Sequence, residues 1–416
     1  MTAGTHNPTA AEAEAMSPVA HGQGISRATV WFLAISVGVI FVDITAPQTL
    51  IGVIAPDLRI GEGWAGLIGT ASLLGYAVGL FFLVPLSDLI ENRGLVIGML
   101  SVAVISAIGA ALAPAALPFL LLLFTLGAAC SAIQVLVPIA AAMAREFERG
   151  QVIGDVMSGV MVGVLLSRPI ASFVADTLGW RAFYVLSAGS MAVLIPLMRS
   201  RLPVRRPEAT GSYAAVIASL SMLLGTEPVL RRRSLTAALG MAAFTVFWTA
   251  IALRLSQAPF NLNQSHIALF ALVGASGAIV APLAGRAGDH GWTRRLTVAA
   301  HVVTILGFAL AAFADRLGGP VWWPLALLGL AAVILDVGVI TDQTLGRRAV
   351  NLLKPEARGR LNALFVGIFF LGGAFGSAAA GYAWAQGGWP LVCAVGAGFG
   401  ALSLISDFVG DRASRG

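Results

Sequence analysis

Twelve apolar runs of bilayer-crossing length, separated by short connections rich in charge, Pro or Gly, leave this chain few ways to fold. They lie at about 28–49, 63–85, 95–113, 118–143, 153–174, 180–198, 234–255, 263–284, 296–314, 319–345, 359–384 and 388–409. Roughly 20 helical residues cross the hydrocarbon of a membrane. Inside lipid every backbone N–H and C=O must find its partner within the protein, which admits helices or closed barrels, and runs of this length without period-two alternation are not barrel strands. Composition agrees: 58% of residues are hydrophobic and 11% charged, where a soluble domain carries ~25% charged.

The same punctuation occurs twice at one register. Gln134, Arg149-Gly150, Gly163 and Gly179-Trp180 recur 209 residues later as Gln343, Arg358-Gly359, Gly372 and Gly388-Trp389. Between the Arg-Gly and Gly-Trp pairs, each copy runs through one long Gly-rich apolar segment. The expected fold class is therefore all-α integral membrane, with twelve transmembrane helices in two six-helix pseudo-repeated halves. Doubled halves of apolar helices are the architecture of secondary transporters, which hold substrate at the repeat interface.

Charge placement sets the expected orientation. Even-numbered connections and the two termini hold 21 of the 26 basic residues, whereas odd-numbered connections hold only Arg59 and Arg316. That asymmetry predicts both termini in the cytoplasm. It also reads the pI near 10.1 as a topology signal, with no nucleic-acid partner. The expected divisions are a disordered cytoplasmic N-terminus at 1–27, an N-terminal half at 28–198, a cytoplasmic linker at 199–233, a C-terminal half at 234–409 and a tail at 410–416. A short amphipathic helix is expected in the linker around Tyr213–Leu224. The first span lacks a small-residue cleavage site and reads as an uncleaved anchor. Cys130 and Cys393, one per half, read as packing residues. Trp31, Trp64, Trp180, Trp292, Trp322, Trp323 and Trp389 mark span ends, as an interfacial belt does.

The connection after the second span reads Val84-Pro85-Leu86-Ser87-Asp88-Leu89-Ile90-Glu91-Asn92-Arg93-Gly94, and the matching one after the eighth reads Pro282-Leu283-Ala284-Gly285-Arg286-Ala287-Gly288-Asp289-His290-Gly291. Each is a tight turn between antiparallel helices carrying an acid and a base. These residues resemble the repeated loop signature of the major facilitator superfamily, with Val84 and Asn92 replacing two of its expected residues and Gly285 standing at the place of Asp88. The resemblance covers about 28–409 and implies alternating access between two halves, with Asp88, Arg93, Arg145, Gly285 and Asp289 on cytoplasmic gating loops. In the fifth span, Gly159, Gly163, Pro169 and Ser172 are similar to the Gly/Pro-rich helix of proton-driven exporters of that superfamily, although Arg168-Pro169 replaces the usual Gly-Pro. Small residues four apart also let helices approach closely, and the glycines taken alone read first as helix packing. Other stretches, including Gln134–Pro138 and Phe370–Ser377, resemble a bacterial drug or metabolite:proton antiporter-like branch.

A charge at the bilayer centre costs roughly 2.5–3.5 kcal/mol on insertion scales, so those retained face a cavity or one another. Asp43 in span 1 and Arg168 in span 5 lie at similar depth, which makes them a candidate pair, either for proton coupling or as a structural salt bridge. Asp336 in the middle of span 10 is the rival proton site, or a partner for a cationic substrate. Asp342 reads as an end-of-helix partner for Arg347 and Arg348. Gln134 and Gln343, related by repeat symmetry, are candidate substrate-cavity residues, or their amides join helices within each half. No Gly-x4-Gly-Lys-Ser/Thr run occurs, and no His, Cys and carboxylate spacing suits a metal or a hydrolytic site. The expectation is therefore no enzyme, no cofactor and no metal. What remains is a secondary active transporter, functional as a monomer in the bacterial inner membrane, whose partners are a small-molecule substrate, protons and lipid. Proton-driven efflux of a small organic molecule is the first reading, proton-coupled import the second, and a non-transporting sensor or scaffold the third.

If the basic connections face the cytoplasm, reporters fused after residues 205 and 416 should both report cytoplasm, and a periplasmic signal from either would overturn this topology.

Overall fold

The computed structural model describes residues 25–206, 212–317, 320–354 and 357–413, and no strand occurs among them. The expected disordered segment at 1–27 lies almost wholly outside the described residues. Helices α1 (Arg27–Thr49) and α2 (Ile51–Asp57) come first, then α3 (Leu67–Phe82), flanked by 3-10 turns at Glu62–Trp64 and Val84–Asp88. Next are α4 (Asn92–Leu112), α5 (Ala116–Cys130), α6 (Ile133–Met143), α7 (Arg149–Leu178) and α8 (Trp180–Arg201). After α9 (Tyr213–Thr226), where the sequence predicts a short linker helix, follow α10 (Pro228–Ser256), α11 (Gln264–Ala271), α12 (Ser276–Asp289), α13 (Thr293–Ala314), α14 (Trp322–Asn351) and α15 (Arg358–Ala413).

Among the described residues, ten helical stretches are long and apolar enough to cross a membrane. The difference from twelve has two sources. Helix α15 is non-helical at Gly387 and Gly388, so it is two helices meeting at a kink. In the eighth position α11 and α12, joined by a 3-10 turn at Leu272–Ala275, are each too short to cross alone.

The repeat is visible in the packing. Helix α1 lies against α7, and α10 lies against α15 in the same way. A Cβ on Gly159 would overlap the carbonyl oxygen of Ala34, and one on Gly163 that of Gly38; on the other side, Gly372 and Gly376 meet the carbonyls of Ala238 and Ala242. These backbones touch because no side chain intervenes, the contact that small residues permit between membrane helices. The pairs α3/α5, α4/α5 and α4/α8 likewise reappear as α12/α14, α13/α14 and α13/α15. The halves meet most extensively where α3 lies against α15 and α7 against α11.

The duplicated Gly-Trp pair also has a structural explanation. Gly179 and Gly388 take positive φ, 86° and 58°, which a side chain disfavours, and each turns the chain from one long helix into the next. The tryptophans that follow are buried, which corrects their assignment to an interfacial belt. The indole of Trp180 packs 5.2 Å from Phe119, while that of Trp389 packs 5.9 Å from Phe247 and donates to the Ala311 carbonyl at 3.1 Å. Trp31, Trp64, Trp292, Trp322 and Trp323 are exposed, as belt residues would be.

Gly159→Val should cost about 1–3 kcal/mol by forcing α1 and α7 apart. Gly154→Val, where a Cβ meets nothing, is the control. Thermal melting of the purified protein in detergent checks the pair, and equal melting temperatures would mean the close approach carries no stability.

Candidate functional site between the two halves

A cavity of about 150 Å³ lies between the halves, with Thr45, Gln134, Arg168, Asp336, Gln343 and Arg347 among its polar lining and Phe, Tyr, Met and aliphatic side chains around them. Arg168 enters from α7. Its guanidinium carbon stands 4.4 Å from the Trp248 ring centroid and 5.6 Å from that of Phe244, both on α10. The same indole donates from Nε1 to Asp336 Oδ1 of α14 at 3.1 Å. Arg168 and Asp336 are respectively 4% and 2% exposed, and each is the opposite charge that acts on the other. A cation over a desolvated indole gains about 2 kcal/mol. One tryptophan thus links a cation of the first half to an acid of the second.

Asp43 is not the partner of Arg168. Its Oδ2 accepts from the Ser187 hydroxyl of α8 at 2.8 Å, and its Oδ1 has no partner. It is buried inside the first half, away from the cavity lining. Depth along a span, which the sequence gives, does not fix which face of the helix a side chain takes. Asp342 needs a similar correction. It faces His301 of α13, with Nε2 to Oδ1 at 3.3 Å and both side chains 3% exposed. Arg347, five residues on, points elsewhere and donates from Nε to Asn362 Oδ1 at 2.8 Å. Five residues at 3.6 per turn put the two roughly 140° apart on the helix. Beside them Arg233 reaches Asp407 Oδ1 and Thr297 Oγ1, each at 3.3 Å. His301 escaped the sequence reading, although a lone histidine in span 9 at the depth of an acid in span 10 was its signal.

Gln134 and Gln343 both line the cavity, and Gln134 Nε2 donates to the Tyr76 hydroxyl at 3.3 Å. Gly159 and Gly163 are occupied in packing against α1, Pro169 lies within α7, and the Ser172 hydroxyl is buried without a partner.

A second cavity of about 360 Å³ adjoins the first and shares Gln134 and Arg347 with it. Asp88, Arg205 and Arg360 line this vestibule. Asp88 and Arg360 come from opposite halves, and Arg360 is the charge that acts on Asp88. Arg93 donates to the Arg199 carbonyl at 3.3 Å, tying α4 to the end of α8, while Glu91 caps α4 by accepting from the Arg93 and Gly94 amides. Arg145 is exposed and Gly285 meets nothing; the side chain of Asp289 lies outside the described residues. At the opposite end of the bundle the halves are joined. The Ser377 hydroxyl donates to the Gly66 carbonyl at 2.9 Å, that of Thr70 to the Ala374 carbonyl at 2.9 Å, and that of Ser265 to Asp176. At that end too, the Arg181 guanidinium, 2.5 Å from Asp57, holds this carboxyl below the usual carboxylate range.

A bundle of doubled halves, sealed at one end and hollow towards the other, with buried charge at its centre, defines a multi-pass membrane transporter. The chain belongs to the Major Facilitator Superfamily, whose family model matches residues 33–345. It is 33% identical over 390 residues to the uncharacterized transporter YgaY of Escherichia coli O157:H7, covering 92% of this chain and 95% of that one. With the inner membrane transport protein YdhP of Escherichia coli K12 it shares 23% identity over 399 residues, 91% of this chain and 95% of the other. Its fold superposes on a D-xylose-proton symporter with a TM-score of 0.72 at 13% identity, over 92% of this chain and 97% of that one. At that identity the likeness is one of fold alone.

Closing the vestibule would bring Asp88 and Arg360 together, so Asp88→Asn should lower transport severalfold while leaving expression and membrane insertion nearly intact. Unchanged uptake or efflux in a well-expressed variant would leave this turn a structural element.

Proposed function

We propose that the chain is a proton-coupled secondary transporter of a small organic molecule, working by alternating access in the bacterial inner membrane with both termini cytoplasmic. The observation that carries this is the Arg168–Trp248–Asp336 group. It is buried, it spans the two halves, and it borders the cavity that opens towards the vestibule. A carboxylate held there changes the balance of charge between the halves when it takes up a proton, which is the kind of event that biases one arrangement of a bistable structure over another. On this reading Asp336 carries the proton, Arg168 responds to it, and Gln134 and Gln343 contact substrate. Asp43, with its hydroxyl partner inside one half, is a structural group. The vestibule lined by Asp88 is the cytoplasmic opening, and the chain is in its inward-facing state.

Efflux is supported by the likeness of the fifth span to that of proton-driven exporters, though the structure accounts for Gly159 and Gly163 through packing. Import is favoured by a specific observation: Arg168 and Asp336 offset each other's charge, so neutralising Asp336 would release Arg168 rather than compete with a solute for it. The experiment is reconstitution in liposomes with an internal pH-sensitive dye, an imposed pH gradient and a panel of small organic solutes. Solute-dependent proton movement is expected in the wild type, and its direction relative to the solute separates import from efflux. Asp336→Asn should abolish gradient-driven accumulation while leaving downhill exchange, and Asp43→Asn should retain both. The reverse pattern would return the coupling role to Asp43, and no proton movement at all would leave a uniporter or a scaffold.

A further inference from the structure

Arg168 is more than a counterion. Its Nε and Nη2 are buried and have no hydrogen-bond partner, although an unpaired buried donor on a charged group is costly. These two nitrogens form the side edge of the guanidinium, the edge that presents two parallel N–H bonds to a carboxylate. Asp336 does not fill it: neither nitrogen has a hydrogen-bond partner, and Oδ1 of that acid accepts from the Trp248 indole instead. The rings of Phe244 and Trp248 lie beside the guanidinium without using its donors. Among the described residues the cavity is lined by two arginines, Arg168 and Arg347, against one acid, Asp336, so its charge is net positive. The same cavity is lined by Met157, Met161, Met241, Phe244, Phe369 and Phe370, a soft apolar wall suited to a flat ring. Its volume, about 150 Å³, matches the roughly 150 Å³ of an engineered apolar cavity that takes up benzene.

We propose that this cavity takes a small ring-bearing organic anion, its carboxylate held side-on by Arg168 and its ring among the methionine and phenylalanine side chains. The inference rests on the central cavity being the substrate site, as in the function proposed above, but not on the direction of transport. Asp336 then acts as an internal rival for Arg168. While it is charged it offsets the same cation that the substrate needs; once it is neutral, the full charge of Arg168 faces the anion. Binding of a proton at Asp336 and of the anion at Arg168 therefore reinforce each other, and by linkage the effect is reciprocal. A cationic substrate would show the opposite pattern, because it would need the charge on Asp336 and be repelled by both arginines.

The test is equilibrium binding of radiolabelled benzoate to the purified full-length protein in lipid nanodiscs, with benzylammonium and benzyl alcohol as comparators of similar shape. Benzoate should bind saturably and the other two at least tenfold more weakly. Arg168→Gln should weaken benzoate at least tenfold, and Arg168→Lys, which keeps the charge but not the fork, should fall between. Asp336→Asn should tighten benzoate binding severalfold, a gain that damage to the fold would not produce. Melting temperatures establish that each variant is folded; should Arg168→Gln not fold, the Asp336→Asn result and the ligand series decide. The proposal is overturned by preference for benzylammonium, by benzyl alcohol binding as well as benzoate, by no saturable benzoate binding, or by benzoate binding that Asp336→Asn leaves unchanged or weakens. Because the assay contains no gradient, benzoate binding with no proton-driven flux would sink the coupling scheme and leave the site, while flux of other solutes without benzoate binding would do the converse.

Discussion

Direct backbone contact between α1 and α7, and again between α10 and α15, is the constraint on which the remaining geometry depends. Membrane helices gain little from burying apolar side chains against one another, since lipid is equally apolar, so they associate through close packing and hydrogen bonds. Gly159 and Gly163 bring the α1 carbonyls against α7, and Gly372 and Gly376 do the same for α10 and α15. Once α7 is fixed in this way, Arg168, five residues beyond Gly163, has a fixed direction as well. Its guanidinium leaves the first half and lies over rings of the second.

That placement turns a costly group into an organising one. A buried cation without compensation would cost several kcal/mol, and Arg168 is compensated in two ways. The faces of Phe244 and Trp248 take the charge from the side, and Asp336 offsets it from across the cavity. Trp248 serves both partners at once, through its ring for the arginine and its N–H for the acid. The link joins α7 to α10 and α14 across the interface between the halves, so the charges of Arg168 and Asp336 belong to both.

The two ends of the bundle are held by different chemistry. At the sealed end the halves share short hydroxyl-to-carbonyl bonds, from Ser377 to Gly66 and from Thr70 to Ala374, at a place where Gly66 and Gly381 remove side chains from the contact. At the hollow end the groups facing one another are charged and separated by the vestibule, Asp88 on one side and Arg360 on the other. Hydroxyl-to-carbonyl bonds and a hydroxyl-to-carboxylate bond thus hold one end, while charges face one another across a cavity at the other.

Much of this was legible in the chain alone. Length and hydropathy determined the helical membrane class, because backbone hydrogen bonding in lipid admits so few solutions. The offset of 209 residues determined that the helices pair twice in the same way, and the structure adds why its Gly-Trp members recur: positive φ at Gly179 and Gly388, then an indole buried in each half. Sequence also found the buried ionisable residues Asp43, Arg168, Asp336 and Asp342, since charge in an apolar run is conspicuous. It did not find their partners. Depth in the membrane is a one-dimensional coordinate, readable from position in a span, and it set Asp43 beside Arg168 and Asp342 beside Arg347. Which face of each helix points at which neighbour depends on the rotation of packed helices, and that is decided only when all of them are in contact. Tertiary structure therefore gave Asp43 to Ser187, Asp342 to His301, and Arg168 to Trp248 and Asp336. The charge at the centre of the cavity belongs to both halves because the helices that carry it pack that way.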